Sequence, residues 1–145
     1  MTMKNELHNN VSIVRCISPI TAGTTGTGRT GVAVDRRGFQ GVEFIASYGA
    51  VTATGATFTV IIQESDSATS ASFTSVADAD LLGTEAAAGV AAAARASGTT
   101  MNVTKRVGYK GNKRYVRGKI VPTGTAGTPV SLTCVLHSPH LAPVT

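Results

Sequence analysis

The chain has little of what enzymes are usually built from. Only 14% of its 145 residues are charged, 5% are aromatic, and tryptophan is absent. Its three histidines are His8, His137 and His140, so no imidazole is available between residues 9 and 136. A cupin-type metal centre takes its His and Glu ligands from central strands and is not expected here. A histidine-based nucleophilic triad lacks its general base for the same reason. Neither G-x-S-x-G nor G-x-x-x-x-G-K-[ST] occurs. No apolar run approaches the roughly 18 residues of a membrane span, so no membrane contact is expected. Residues 1–10 contain no apolar core of the kind a secretory signal needs. The sequons Asn10-Val-Ser12 and Asn102-Val-Thr104 are accordingly read as chance matches. Cys16 and Cys134 lie far apart and form no CxxC pair. They read as two small buried apolar residues in a reducing compartment, with a disulfide left open if the first and last strands are neighbours.

What the chain does have is Thr, Val, Ala, Ser and 16 Gly. β-branched residues suit pleated strands and Gly punctuates turns. Thr57–Glu64 alternates Phe58, Val60 and Ile62 with polar residues, the clearest strand pattern in the chain. Strands are also expected over 11–17, 31–35, 39–48, 71–76, 99–107, 113–121 and 129–137. Val42, Phe44, Ala46 and Tyr48 share one face, as do Val130, Leu132, Cys134 and Leu136. In 113–121, Arg114, Val116, Gly118 and Ile120 are expected to face one way, and Lys113, Tyr115, Arg117 and Lys119 the other. The Thr/Gly stretch 21–31 reads as a long loop. Within 78–96 the expectation is a short helical turn near Asp80–Leu82, then an irregular Ala-rich run. This pattern defines an all-β chain, a β-sandwich or jelly roll of about eight strands with long loops and extended termini. It divides into an arm (1–10), one domain (11–137) and an extended tail (138–145).

Several motifs could in principle carry chemistry. Gly26-Thr-Gly-Arg-Thr-Gly31 matches G-x-G-x-x-G, but that fingerprint needs a strand before it and a helix after it. Here a Thr/Gly loop precedes and Val-Ala-Val follows, so dinucleotide binding is not expected. His137-Ser-Pro-His140 has too few partners for a metal, and the pairs Asp78/Asp80 and Glu64/Asp66 read as caps and turn residues. No catalytic, metal or cofactor site is therefore expected. The one concentrated polar feature lies between Lys105 and Lys119, with seven basic residues and no acidic one. Lys105, Arg106, Lys110, Lys113, Arg117 and Lys119 are the candidate partner-binding residues. Tyr109 and Tyr115 interleave them, which would suit single-stranded nucleic acid. The favoured reading is a solvated, interface-forming face toward an acidic protein surface, with nucleic acid the weaker partner.

Four stretches carry a resemblance: Gln63-Glu-Ser-Asp66, Phe73 to Gly83, Val107 to Arg117 and Leu136 to Pro143. Together they span about the C-terminal three-fifths of the chain and resemble head decoration (cement) proteins of tailed bacteriophages. The resemblance implies a jelly-roll-like fold, a homotrimer at three-fold positions of the capsid, and the major capsid protein as partner. It also implies a place on the virion surface after assembly in the host cytoplasm, while the missing catalytic motifs and histidines make enzymatic activity unexpected. Other readings are a neck, tail or head-completion component, a nucleic-acid-binding protein using 105–119, and a carbohydrate-binding β-sandwich.

Overall fold

The computed structural model describes residues 6–50, 55–91, 100–124 and 127–141, with the backbone alone for Thr100 and Met101. In chain order the described strands are β1 (Val11–Thr21), β2 (Arg29–Thr30), β3 (Val34–Asp35), β4 (Phe39–Ala50), β5 (Thr57–Ser65), β6 (Thr74–Ser75), β7 (Leu81–Leu82), β8 (Thr100–Tyr109), β9 (Tyr115–Thr123) and β10 (Pro129–Pro139). One short helix, α1 (Glu85–Ala88), precedes β8. The strands form two antiparallel sheets packed as a β-sandwich. The first has the order β1-β10-β4-β8-β7. The second runs β2-β9-β5-β6, with β3 also paired to β9.

Period-two alternation explains which residues meet between the sheets. Val42, Phe44, Ala46 and Tyr48 of β4 are buried, as are Val130, Leu132, Cys134 and Leu136 of β10. Phe58, Val60 and Ile62 of β5 face them with Val116 and Ile120 of β9. Successive strand residues point to opposite faces, so each of these strands commits every second side chain to one layer. Two buried tyrosines close its ends. Tyr48 lies 5.2 Å from Phe58, ring centre to ring centre, and its hydroxyl donates to the Ala88 carbonyl at 2.7 Å. Tyr109 stands six residues further along the β4–β8 ladder, opposite Val42 where Tyr48 is opposite Val103.

Several elements differ from the sequence expectation, each for a local reason. Ser70–Ser72 is a 3₁₀ turn and only Thr74–Ser75 pairs with β5, where a strand over 71–76 was expected. The Ser72 hydroxyl bonds the Thr69 carbonyl at 2.6 Å and meets the Ser65 hydroxyl at 2.8 Å. Such side-chain bonds compete with a ladder. The helical turn expected at Asp80–Leu82 sits instead at Asp78–Asp80, and Leu81–Leu82 is extended, paired with Tyr109 and Gly108 of β8. α1 starts after Thr84, whose hydroxyl caps the Ala87 N–H at 3.0 Å. β1 and β8 run further than expected, to Thr21 and Tyr109, because their neighbours keep pairing that far. β9 begins at Tyr115, so Arg114 stands at the rim and not on the apolar face with Val116 and Gly118. The Ala-rich run 92–96, the start of the arm (1–5) and the end of the tail (142–145) lie outside the described residues.

The loop 21–31 is laid directly on β9, and its glycines are what permit this. Gly28 has φ +68°, and a Cβ there would sit 2.0 Å from the Ile120 carbonyl oxygen. A Cβ on Gly31 would fall 2.2 Å from the Cys16 sulfur. Gly28→Ala therefore combines backbone strain with a clash against main chain. It is expected to cost about 3 kcal/mol or more, read as a lower urea midpoint at unchanged slope. Gly26→Ala shares the positive φ (+78°) but has open space around its Cβ position, so it reports the strain without the clash.

Candidate functional site

The densest polar arrangement lies at the Tyr109 end of the sandwich. Glu64 has the inward parity of Phe58, Val60 and Ile62, but sits where β5 leaves the core, so its carboxylate reaches the rim. The Tyr109 hydroxyl crosses from the first sheet and donates to Glu64 of the second, while accepting the Lys113 N–H at 3.0 Å. Burial, and next the bond to Glu64, push the phenol well above its ordinary pKa, so it stays protonated as the donor. Arg36 seals the same end. Its guanidinium donates to the carbonyls of Lys113 and Gly111, lies 3.3 Å from that of Phe39, and stands 5.5 Å from the Tyr109 ring centre. One arginine thereby ties the turn before β4 to the turn before β9. These groups satisfy one another, which is the signature of a structural clamp.

The basic residues singled out from the sequence are not gathered into one patch. Lys105 and Arg106 belong to β8 in the first sheet, whereas Arg117 and Lys119 belong to β9 in the second. Lys110 and Lys113 lie on the turn between them. Several are engaged within the chain. Arg106 lies 3.7 Å from Glu43 and Lys113 pairs with Asp66. Arg117 donates to Gln63 at 2.8 Å and to the Ser70 hydroxyl at 2.9 Å, and its guanidinium lies 4.2 Å from the Phe73 ring centre. Arg114 grips Asp35 with two bonds, at 3.1 and 2.7 Å, and holds that carboxyl below its usual range. Among the described residues no ion pair engages Lys105, Lys110 or Lys119, and they stand on the first sheet, the rim and the second sheet respectively. A track of cations matched to a nucleic-acid backbone is not what this spacing makes. Sequence reasoning missed Arg36, because its role depends on a turn 75 residues away.

The remaining candidates resolve into structure. Gly28 and Gly31 of Gly26-Thr-Gly-Arg-Thr-Gly31 serve the close approach to β9 and Cys16, Gly26 takes a positive φ, and the motif is followed by a strand. The His137 ring covers Gly41 across the β4–β10 ladder, with its Nδ1 3.0 Å from the Ser138 hydroxyl. Among the described residues, no three His, Cys, Asp or Glu side chains come together as a metal would need. A recess of about 500 Å³ between β5 and α1 has Glu85 as its ionisable side chain, and that carboxylate accepts the Ile62 N–H. Cys16 and Cys134 are buried free thiols, and burial raises both pKa values. The Cys16 sulfur accepts the Gly118 N–H at 3.4 Å and so links β1 to the second sheet.

No known protein family matches the chain, and no curated protein matches it. The described residues form an antiparallel β-sandwich with a cluster of mutually bonded polar groups at one rim.

Two measurements check this account. Tyr109→Phe keeps the ring but strands the Glu64 carboxylate and the Lys113 N–H, an expected loss of about 1–3 kcal/mol in urea unfolding. A loss under about 0.5 kcal/mol would mean the hydroxyl contributes nothing net. The thiols should be inert to a disulfide reagent in the native protein, with both reacting once the chain is unfolded.

Proposed function

We propose that this chain is a capsid decoration protein that binds the outer surface of a phage head, contacts the major capsid protein and stabilises neighbouring capsomers. The observation that carries this reading is where the four resembling stretches meet. Leu136, Tyr109 and Leu81 come from three of them and lie in one register row of the first sheet, joined through Val42. The fourth supplies Glu64 and Asp66, which bond Tyr109 and Lys113 across the sandwich. Segments far apart in sequence thus build one end of the molecule, which supports reading them together.

The strand order adds support. With the short strands β2 and β3 counted together and β7 left aside, the sheets read β1-β10-β4-β8 and β2/β3-β9-β5-β6. Two interlocked Greek keys give this order, and we read the sandwich as a jelly roll, an architecture used in viral capsids. The role also suits the chemistry. A cement protein acts through modest contacts summed over capsid symmetry, and asks for a rigid scaffold rather than a reactive cleft.

The reading is tested with particles of the phage that encodes the chain. The protein should be present in purified virions near the number of capsid three-fold sites. Purified protein should bind particles stripped of it and saturate at that ratio. Charge reversal of Lys105, Lys110 and Lys119 together should weaken rebinding by about tenfold or more if these cations meet an acidic capsid surface. Absence from purified particles, or no rebinding, ends the proposal. Salt-sensitive binding to DNA instead would favour the nucleic-acid reading.

A further inference from the structure

The exposed large apolar side chains are unevenly placed. Among the described residues, Leu7, Ile13, Ile20, Val32, Leu82 and Leu141 are the exposed ones, and four of the six lie on or near β1. Ile13 and Ile20 belong to β1, Leu7 lies four residues before its first residue, and the Val32 N–H bonds the Cys16 carbonyl of β1 at 3.0 Å. β1 is the outer strand of the first sheet and is eleven residues long. Its second half carries Pro19 and irregular pairing, the usual protection of an edge, but Val11–Arg15 pairs regularly and lacks such a device.

The opposite edge of that sheet is β7, and Leu82 stands on it. Ile13 pairs with Val135, Val135 with Glu43, Glu43 with Gly108, and Gly108 with Leu82. Residues in one row share a face, so Ile13 (69% exposed) and Leu82 (52% exposed) mark the two ends of one line across the outer face. Four strand spacings separate them, roughly 19 Å. Beside Leu82 is a recess of about 340 Å³, lined also by Glu43, Gly83 and Arg106. The edges differ in charge. Arg15 is the sole charged residue of β1 and is exposed. Among the described residues of the β7 edge, Glu43 is paired with Arg106, and Asp78 and Asp80 lie beside a single further base, Lys110.

We propose that the β1 edge of one copy of this chain packs against the β7 edge of the next, with Ile13 entering the recess beside Leu82 and Arg15 toward the acidic side. The two edges are different surfaces, so the contact is heterologous, and identical copies joined by it form a ring when the rotation between neighbours closes. Only the ring size, three, rests on the decoration reading above.

The test is the mass of the full chain in solution by sedimentation equilibrium, at about 100 μM, a range that reveals even weak assembly. Wild type is expected at three times the monomer mass. Ile13→Lys and Leu82→Glu should each give monomers. An equimolar mixture of the two variants should recover a two-subunit species, because one supplies an intact Ile13 edge and the other an intact Leu82 edge. Both positions are exposed, so melting temperatures should stay within about 3 °C of wild type. Ile13→Ser and Leu82→Ser stand in where a charged version does not fold. A monomeric wild type overturns the proposal, as does an oligomer that survives Leu82→Glu, which would indicate β1 pairing with itself. A mixture that stays monomeric also overturns it. A chain that forms the ring but does not bind particles would sink the decoration reading alone, and a monomer that binds them would sink only the ring.

Discussion

One layer of side chains has to serve both sheets at once, and most of the molecule follows from that constraint. β4, β5, β9 and β10 each give every second residue to it, and the partners across the gap must match in size. Where they cannot, the chain uses glycine. A Cβ on Gly118 of β9 would lie 2.2 Å from the Leu132 side chain of β10, so a large residue on one sheet requires none on the other. Among the described residues of β4, β5, β9 and β10, acidic and basic side chains with inward parity appear only where a strand leaves the layer. Glu64 is such a group. Its carboxylate would be costly to bury alone, and the Tyr109 hydroxyl and the nearby Arg36 make that end of the sandwich tolerable. At the other end Tyr48 places its ring in the layer and its hydroxyl on a carbonyl. Two tyrosines thus do the same work at opposite rims, an apolar body inside and a polar tip outside.

The same constraint explains why the chemistry suggested by isolated motifs dissolves. Gly28 and Gly31 are needed because a loop lies within van der Waals distance of β9 and Cys16. The basic segment 105–119 looks continuous in sequence only because β8 and β9 are consecutive long strands. The turn between them carries the chain from one sheet to the other, and the charges go with it.

This marks what could be read in advance. The faces of β4, β5 and β10 were legible, since alternation over eight or more residues leaves one register with an apolar interior. So was the sandwich class, from the number of such runs. Of the two-residue strands, β2 and β7 were not legible, and β3 and β6 only as parts of longer expected runs (31–35 and 71–76), because all four are defined by the neighbours they meet and not by any pattern of their own. The Ser-rich stretch 65–72 defeated the strand reading through hydroxyl bonds whose partners only folding brings near. The candidate partner-binding residues were identified by charge, yet charge alone could not show that Arg117 is spent on Gln63, Ser70 and Phe73, or Lys113 on Asp66.

With the interior closed, recognition falls to edges and outer faces, and the two edges of the first sheet are unequal. Neighbours in that sheet are antiparallel, so β1 and β7, four steps apart, run in the same direction. Extending the sheet from one copy to the next would need parallel pairing against a strand of two residues, which offers few hydrogen bonds. A continuous intermolecular sheet, the route to a fibre, is therefore weakly supported by the backbone. Side-chain contact at Ile13 and Leu82 carries no such demand for coplanar strands. It allows successive copies to turn relative to one another, and a fixed turn is what lets a head-to-tail contact close on itself. The shortness of β7 and the irregular second half of β1 thus act together: both discourage an open sheet while leaving the apolar contact intact.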